Sequence, residues 1–236
     1  MNVRIFPLGD QALVVELADR IEMNSVRRIH AVCDWLAAAA LPGVSEWVPA
    51  ATTVTLFYSA TKLVAAGAPA SDVVGWLADR VRERLATFPV SNELPVPRLV
   101  EMPVCYGGEF GPDLEEVAAR VKLSAAEVIA RHSAAEYFVL QLGFAPGFPY
   151  LRGLPEALAV PRRDTPRVAV PAGSVAIANG QCGIYPVVIP GGWNLIGRTP
   201  CKLFFPGQEP FVLLQPGDRV KFRAISVDEF ADLKTP

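Results

Sequence analysis

Residues 167–180 read Arg167-Val-Ala-Val-Pro-Ala-Gly-Ser-Val-Ala-Ile-Ala-Asn-Gly180, and their pattern determines how the second half of the chain folds. Two β-rich runs, 167–170 and 174–178, are each followed by residues typical of tight turns. Similar runs predict further strands at 184–189, 202–205, 211–214 and 219–225. Many short strands at close spacing predict a closed or nearly closed β-barrel, because closure removes exposed sheet edges.

A rigid loop precedes this region. The stretch Gly143-Phe-Ala-Pro-Gly-Phe-Pro-Tyr-Leu151 follows a β-rich run at 136–142, and its prolines and glycines cannot continue a regular strand or helix. Its aromatic rings either plug a hydrophobic core or face a pocket. We expect Phe144 and Phe148 to divide these roles, one anchoring the loop in the barrel and the other lining a cleft.

Two segments near the predicted strands carry arginines that could bind an anion. In Gly191–Thr199, two glycines allow backbone N–H groups to approach a ligand and Arg198 can clamp a carboxylate or phosphate. The segment 161–167 places three arginines between prolines. The alternatives are a barrel turn with a solvated arginine, and a solvated loop with one arginine paired to Asp164.

The first half of the chain has a different pattern. Strands are predicted at 3–6 and 11–17, a helix at 22–40, a hairpin at 44–48 and 52–58, and a second helix capped by Ser71. The order β-α-β-β-α needs one more strand to complete a ferredoxin-like unit. Leu99–Tyr106 could be that strand or the first strand of the barrel.

A proline-rich segment marks the boundary between the two halves. Residues 88–103 include four prolines, so we place the junction near residue 94, giving domains 1–94 and 95–236. Beyond it, helices are predicted at 112–121, 124–133 and 226–233. Ser124 and Glu127 have the spacing of a capping box at the start of the second.

Composition excludes several classes of function. The chain has 236 residues, is 51% hydrophobic and carries a formal net charge of −2, without the basic blocks that nucleic acid or an anionic membrane attracts. No apolar run is long enough for a membrane span and the start lacks a signal peptide, so we expect a cytoplasmic protein. The four dispersed cysteines are expected to be reduced thiols, and no metal site is predicted.

No self-sufficient catalytic motif stands out from the residues alone. The glycines match neither the Walker nor the Rossmann phosphate loop. Ser174 lies in Pro-Ala-Gly-Ser-Val, which is not a hydrolase nucleophile elbow. His132 ends a predicted helix, where it is either a helix-end histidine or a catalyst.

Five blocks of sequence resemble a known family, in the family's order from residue 6 to about 220. They are Phe6–Ala12, Gly143–Leu151, Pro171–Ala176, Gly183–Pro186 and Gly191–Pro200. The family is KipI, also labelled allophanate hydrolase subunit 1, carboxyltransferase subdomains C and D, and the B subunit of 5-oxoprolinase. The resemblance implies an α+β fold, with an N-terminal ferredoxin-like α/β domain and a C-terminal cyclophilin-like β-barrel.

The resemblance also implies a function. It points to one component of a bacterial ATP-dependent 5-oxoprolinase, which opens 5-oxoproline to glutamate, or of a closely related amide hydrolase or carboxyltransferase. The expected partners are a companion of the type found as the C subunit of 5-oxoprolinase or as allophanate hydrolase subunit 2, and a LamB/YcsF-type protein. ATP is expected to bind the complex, not necessarily this chain. The alternative is a KipI-type regulator that inhibits a sensor histidine kinase.

Site residues follow from the resemblance at matching positions. The implied catalytic residues, which would position or transfer protons, are His132, Gln181 and Tyr185. The implied substrate-binding residues are Phe144, Phe148, Arg167, Ser174, Gly192, Trp193 and Arg198.

Overall fold

The structure, a computed structural model, describes residues 3–39, 41–89 and 97–234. The chain divides into two compact units, Met1–Val96 and Pro97–Pro236. The predicted junction near residue 94 lies outside the described residues. Within the described ranges, no helix has the length and apolar character needed to cross a bilayer.

The first unit is a four-stranded antiparallel sheet packed against helices. Its elements are β1 (Arg4–Leu8), β2 (Ala12–Glu16), α1 (Met23–Ala37), β3 (Val44–Pro49), β4 (Thr53–Tyr58), α2 (Ala60–Ala65) and α3 (Val73–Ala86). Alternate residues of β2 and β4, such as Leu13 and Leu56, are fully buried with Leu36 of α1 and Leu77 of α3. The apolar stripes of the two long helices therefore cover one face of the sheet.

The strand that completes this sheet comes from the start of the chain. The strand order is β1-β2-β4-β3, and Phe6 of β1 pairs with Val14 of β2. β1 thus takes the edge position that the ferredoxin-like order gives to a strand after the second helix. The prediction that Ser71 caps α3 is wrong, because the Asp72 side chain caps it by accepting the Gly75 backbone N–H at 2.9 Å.

The second unit is a closed seven-stranded barrel with three α-helices. Its elements are β5 (Leu99–Tyr106), α4 (Leu114–Val121), α5 (Ala125–Ala134), β6 (Glu136–Leu142), β7 (Pro149–Arg152), a 3₁₀ turn (Glu156–Leu158), β8 (Arg167–Val170), β9 (Ser174–Ala178), β10 (Gln181–Ile184), β11 (Ile189–Gly191), β12 (Asn194–Arg198), β13 (Arg219–Ala224) and α6 (Val227–Lys234). The barrel order is β10-β7-β6-β13-β5-β12-β9, while β8 and β11 form a separate ribbon. The α+β class, with a sheet domain followed by a barrel, is confirmed.

Side chains of α4 and α5 fill the barrel together with inward residues of the strands. Val117 and Val128 from the two helices pack with Val175, Ile177 and other inward residues of the strands. The capping box of α5 is confirmed, since Ser124 Oγ accepts the Glu127 N–H and the Glu127 carboxylate accepts the Ser124 N–H. The two helices therefore belong to the barrel core.

Some predicted strands differ from the observed ones. The expected strand at 184–189 is wrong, because β10 ends at Ile184 and β11 begins only at Ile189. The two strands predicted at 202–205 and 211–214 are reduced to a single bridge between Phe204 and Val212. Strands β7 and β12 were not predicted. Leu99–Tyr106 is the barrel strand β5, which pairs in parallel with β13.

Candidate functional site

An aromatic cluster covers the outer side of four adjacent barrel strands. Along β9, Val175 and Ile177 point into the barrel, whereas Ala176 and Ala178 point outward and pack beneath the rings of Phe148, Tyr185 and Trp193. The Phe148 ring centroid lies 5.2 Å from that of Tyr185 and 5.8 Å from that of Trp193. We call this side of β7, β10, β9 and β12 the outer face.

Two glycines allow the rings to pack this closely. A Cβ on Gly183 would lie 2.6 Å from Phe148 Cζ and 3.1 Å from a carbon of the Trp193 ring. A Cβ on Gly191 would meet the Tyr185 hydroxyl. Close ring packing therefore explains the glycine at the start of the block Gly183–Pro186.

The loop at 143–148 places its two phenylalanines differently. Phe148 is 2% exposed and anchors the loop in the cluster, whereas Phe144 is 63% exposed and held at φ 70°. The Phe144 ring lies edge-on to Phe148 at 5.4 Å and to Tyr185 at 6.4 Å. One ring anchors the loop and the other stands on the surface of the outer face; a cleft role for Phe144 stays a prediction.

A buried carboxylate, Asp113, holds the arginine-rich segment. It precedes α4 and makes no side-chain cap for that helix. Instead, Arg167 donates to both of its oxygens at 2.8 and 2.9 Å, and Arg163 donates to one of them at 2.8 Å. The backbone N–H of Leu195 in β12 donates to the other oxygen at 2.7 Å.

The expected partner of this segment, Asp164, is therefore replaced by Asp113. Because Arg167 forms a bidentate pair with Asp113, its guanidinium is already engaged within the chain. Of the three arginines, Arg162 is the exposed one. Sequence reasoning missed Asp113, although Gly111-Pro112-Asp113 before an apolar helix is a recognisable helix-start signal.

Ser174 and Arg198 lie opposite each other on neighbouring strands. They are direct partners in the β9–β12 register, next to the Ala176–Leu195 pair that points to the outer face. Arg198 donates through Nη2 to the Glu109 carbonyl oxygen at 3.1 Å, and its guanidinium carbon lies 5.6 Å from the Phe110 ring centroid. The predicted substrate-binding residues Ser174 and Arg198 are thus brought together.

Three further predicted residues, Gln181, Tyr185 and Gly192, lie along or beside the outer face. Gln181 is two residues from Gly183 in β10 and so projects to the same side. Gly192 accepts the Arg163 backbone N–H through its carbonyl at 2.8 Å. Burial raises the pKa of the Tyr185 phenol, although a hydrogen bond from the Trp193 backbone and the charges of Arg162 and Arg167 oppose this.

His132 lies elsewhere, inside the barrel. It has no exposed surface; its Nδ1 is 2.8 Å from the Tyr106 hydroxyl and its Nε2 is 3.5 Å from Cys182 Sγ. Burial lowers the pKa of His132 to about 3. Cys182 and Gly183 project to opposite sides of β10, so His132 is placed to pack the interior and is not in contact with the residues of the outer face.

Among the residues that the structure describes, no group of three or more His, Cys, Asp or Glu side chains is arranged to hold a metal ion. The polar groups that the outer face does offer are guanidinium, hydroxyl, amide and phenol. These groups are suited to hydrogen bonding with a small anionic or amide ligand.

A four-stranded sheet domain followed by a closed seven-stranded barrel defines the class as a two-domain α+β protein. A sequence model described as "Carboxyltransferase domain, subdomain C and D" matches residues 3–214. The chain belongs to this family.

Individual relatives extend the match over nearly the whole chain. The B subunit of 5-oxoprolinase from Bacillus subtilis (strain 168) is 43% identical over 237 residues, covering 98% of this chain and 97% of that protein. The B subunit of 5-oxoprolinase from Escherichia coli O157:H7 is 41% identical over 223 residues, covering 94% and 95%. Among solved structures, TTHA0988 is 36% identical with a TM-score of 0.76; the match covers 92% of this chain but only 40% of that longer one.

Proposed function

We propose that this chain is the B subunit of a 5-oxoprolinase, which couples ATP hydrolysis to the opening of 5-oxoproline to glutamate. The observation that carries the proposal is the identity of 43% and 41% to two proteins of that name over nearly the full length of both partners. Identity at this level over both domains supports a shared role better than the fold alone would.

The chain would act with partner subunits. The outer face offers binding groups, but the described residues include no phosphate loop and no accessible nucleophile–base pair. The site would therefore be completed by a companion of the C-subunit type and a LamB/YcsF-type protein. ATP would bind the complex. A cytoplasmic location accompanies this proposal, since ATP is the co-substrate.

The outer face would form the contribution of this chain to the substrate site. Arg198 and Ser174 would receive the substrate, Phe144 and Trp193 would provide apolar contacts, and Gln181 and Tyr185 would position the amide. The buried ring of Phe148, and Gly192 beside the arginine segment, would hold these groups in place. Arg167 would stabilise the site through Asp113, while His132 would support β10 from inside the barrel.

Reconstitution tests the proposal. The chain is purified with its two companion proteins, and glutamate and ADP are measured with 5-oxoproline and ATP present. We expect formation of both products to require all three components. Full activity of the companions without this chain, or no turnover by the complete complex, contradicts the proposal.

A further inference from the structure

Two polar atoms of the outer face are buried without a hydrogen-bond partner among the described residues. They are Ser174 Oγ and Arg198 Nε. Ser174 has no exposed surface at all. A buried hydroxyl or N–H without a partner costs free energy, and such groups are uncommon in folded proteins unless a ligand or water satisfies them. Here they belong to two residues that are direct partners in one strand pair.

The charge of Arg198 is fixed in place but not compensated. Its Nη2 is held by the Glu109 carbonyl and its plane is held near Phe110. In the described parts of the chain, no carboxylate lies within ion-pair distance of Arg198, in contrast to Arg163 and Arg167, which share Asp113. The Glu109 side chain is exposed and leaves the guanidinium unpaired.

Cys105, Arg198 and Ser174 lie side by side on three adjacent strands, and we call them a row. Cys105 cannot supply the charge that Arg198 lacks. Cys105 of β5 is the partner of Arg198 on the other side of β12. Burial raises the pKa of the Cys105 thiol, and the nearby Glu109 carboxylate raises it further, so the thiol stays neutral. The row Cys105, Arg198, Ser174 therefore contains one cation and no anion.

The position of the row links it to the aromatic cluster. The Ser174 carbonyl accepts the Tyr185 backbone N–H at 2.9 Å, and the Tyr185 carbonyl accepts the Gly173 N–H at 2.7 Å. Ser174 is enclosed, whereas Arg198 is partly exposed.

We propose that Ser174 and Arg198 together form a site for a small oxyanion, a carboxylate or a phosphate. The oxygen atoms of such a group accept hydrogen bonds from both Oγ–H and Nε–H and neutralise the guanidinium. A cation or an apolar group would satisfy neither. That the oxyanion is the carboxylate of 5-oxoproline or a phosphate of the reaction rests on the proposed function, whereas the anion affinity itself does not.

The test measures binding by the isolated full-length chain, with 5-oxoproline and inorganic phosphate as separate probes in calorimetry and in competition. At least one probe should bind, and the probe that binds more tightly identifies the source of the oxyanion. We expect about tenfold weaker binding in Ser174→Ala and about hundredfold weaker binding in Arg198→Gln. The matched control is Arg131→Gln, an exposed arginine of α5 in the same unit, which should bind as the unaltered chain does.

Stability separates a binding role from a packing role. Ser174→Ala removes a hydroxyl that has no partner, so this variant should unfold at the same temperature as the parent or higher. The proposal is overturned if neither probe binds, or if binding is unchanged in Ser174→Ala and Arg198→Gln. Anion binding that depends on both residues supports it even if the reconstituted complex fails to turn over 5-oxoproline, so the two proposals can fail separately.

Discussion

A single carboxylate connects three parts of the barrel unit. Asp113 is 3% exposed, yet it accepts hydrogen bonds from two arginines of the segment 161–167 and from the backbone of β12. Its negative charge offsets the positive charges of the two half-buried guanidinium groups. The conformation of the arginine segment therefore depends on this one side chain.

Replacement of Asp113 by Asn should destabilise the barrel strongly. The amide keeps the size but leaves Arg167 without a counter-charge and Arg163 with only the exposed Glu116, so we expect a loss of about 2–3 kcal/mol in the free energy of unfolding. The measurement is urea denaturation. Glu116→Gln is the control: this exposed carboxylate also contacts Arg163, at 3.4 Å, and should change stability by less than about 0.5 kcal/mol. Equal effects of the two variants would show that Asp113 has no special role.

His132 makes the stability of the barrel depend on pH. Burial lowers its pKa from 6.5 to about 3, so the folded barrel holds the neutral imidazole down to low pH. In the unfolded chain, the His132 imidazole has its ordinary pKa of 6.5 and takes up a proton below that pH. The contribution of His132 to the free energy of unfolding is therefore fully present above pH 6.5 and is lost progressively as the pH falls toward 3.

Between pH 7 and pH 5, this single group should lower the free energy of unfolding by about 2 kcal/mol. In His132→Gln that part of the pH dependence should disappear, because glutamine does not titrate. His30→Gln, which changes the other histidine of the chain, should keep it. The comparison uses denaturation at several pH values, followed in the barrel strands by amide hydrogen exchange; an unchanged pH dependence in His132→Gln contradicts this role for the buried imidazole.

At the scale of elements, strand β10 has two sides with different tasks. Cys182 and Ile184 point into the barrel, whereas Gly183 lies beneath Phe148 and Trp193. The missing side chain at Gly183 makes room for the loop at 143–148. The position of Phe144 on the surface thus depends on a glycine in another strand.

Substitution of Gly183 by Ala should displace this loop. The added Cβ would overlap the Phe148 ring, and overpacking of this kind costs about 1–3 kcal/mol. We also expect a changed near-ultraviolet circular dichroism spectrum, which reports on packed aromatic rings. At Gly192, where a Cβ would meet Pro166 at an ordinary 3.5 Å, the same substitution should leave the stability and the spectrum nearly unchanged. Similar losses at both positions would argue against close ring packing at Gly183.

The elements that sequence reasoning predicted are those with local signals. Strands β8 and β9 have alternating apolar residues between turn residues, and α5 has its capping box within four residues. Strands β7 and β12 contain Pro149 and Gly197, which weaken any local strand pattern, and each also pairs with a strand that is remote in sequence, β7 with β10 and β12 with β5. Barrel closure is long-range for the same reason.

The features of the candidate site likewise divide into those with a local sequence signal and those that depend on long-range contacts. The glycine and arginine motifs indicated that Arg198 and Ser174 were of interest, but their pairing depends on the β9–β12 register. Asp113 is far in sequence from the arginines that it holds, and the burial of His132 depends on the closed barrel. None of these three facts has a signal in a short stretch of sequence.

At the scale of the whole molecule, each unit is complete in its own core. The first unit closes its sheet with β1 from the start of the chain, so the strand expected after α3 is not required. The barrel then uses Leu99–Tyr106 as its own strand β5. If the chain acts as the proposed B subunit, the assembled complex should be the active form.

The most direct test places a substitution on the outer face of this chain within the reconstituted complex. Phe144→Asn removes an exposed ring, and Asn tolerates the positive φ of this position, so the variant should fold normally. The control is Val227→Asn at the start of α6, which removes another exposed apolar side chain of the same unit. The measurement is 5-oxoproline-dependent ATP hydrolysis. We predict a loss of about tenfold or more in kcat/KM for Phe144→Asn and no change for Val227→Asn; equal activity of both variants and the parent would contradict a functional role for the outer face.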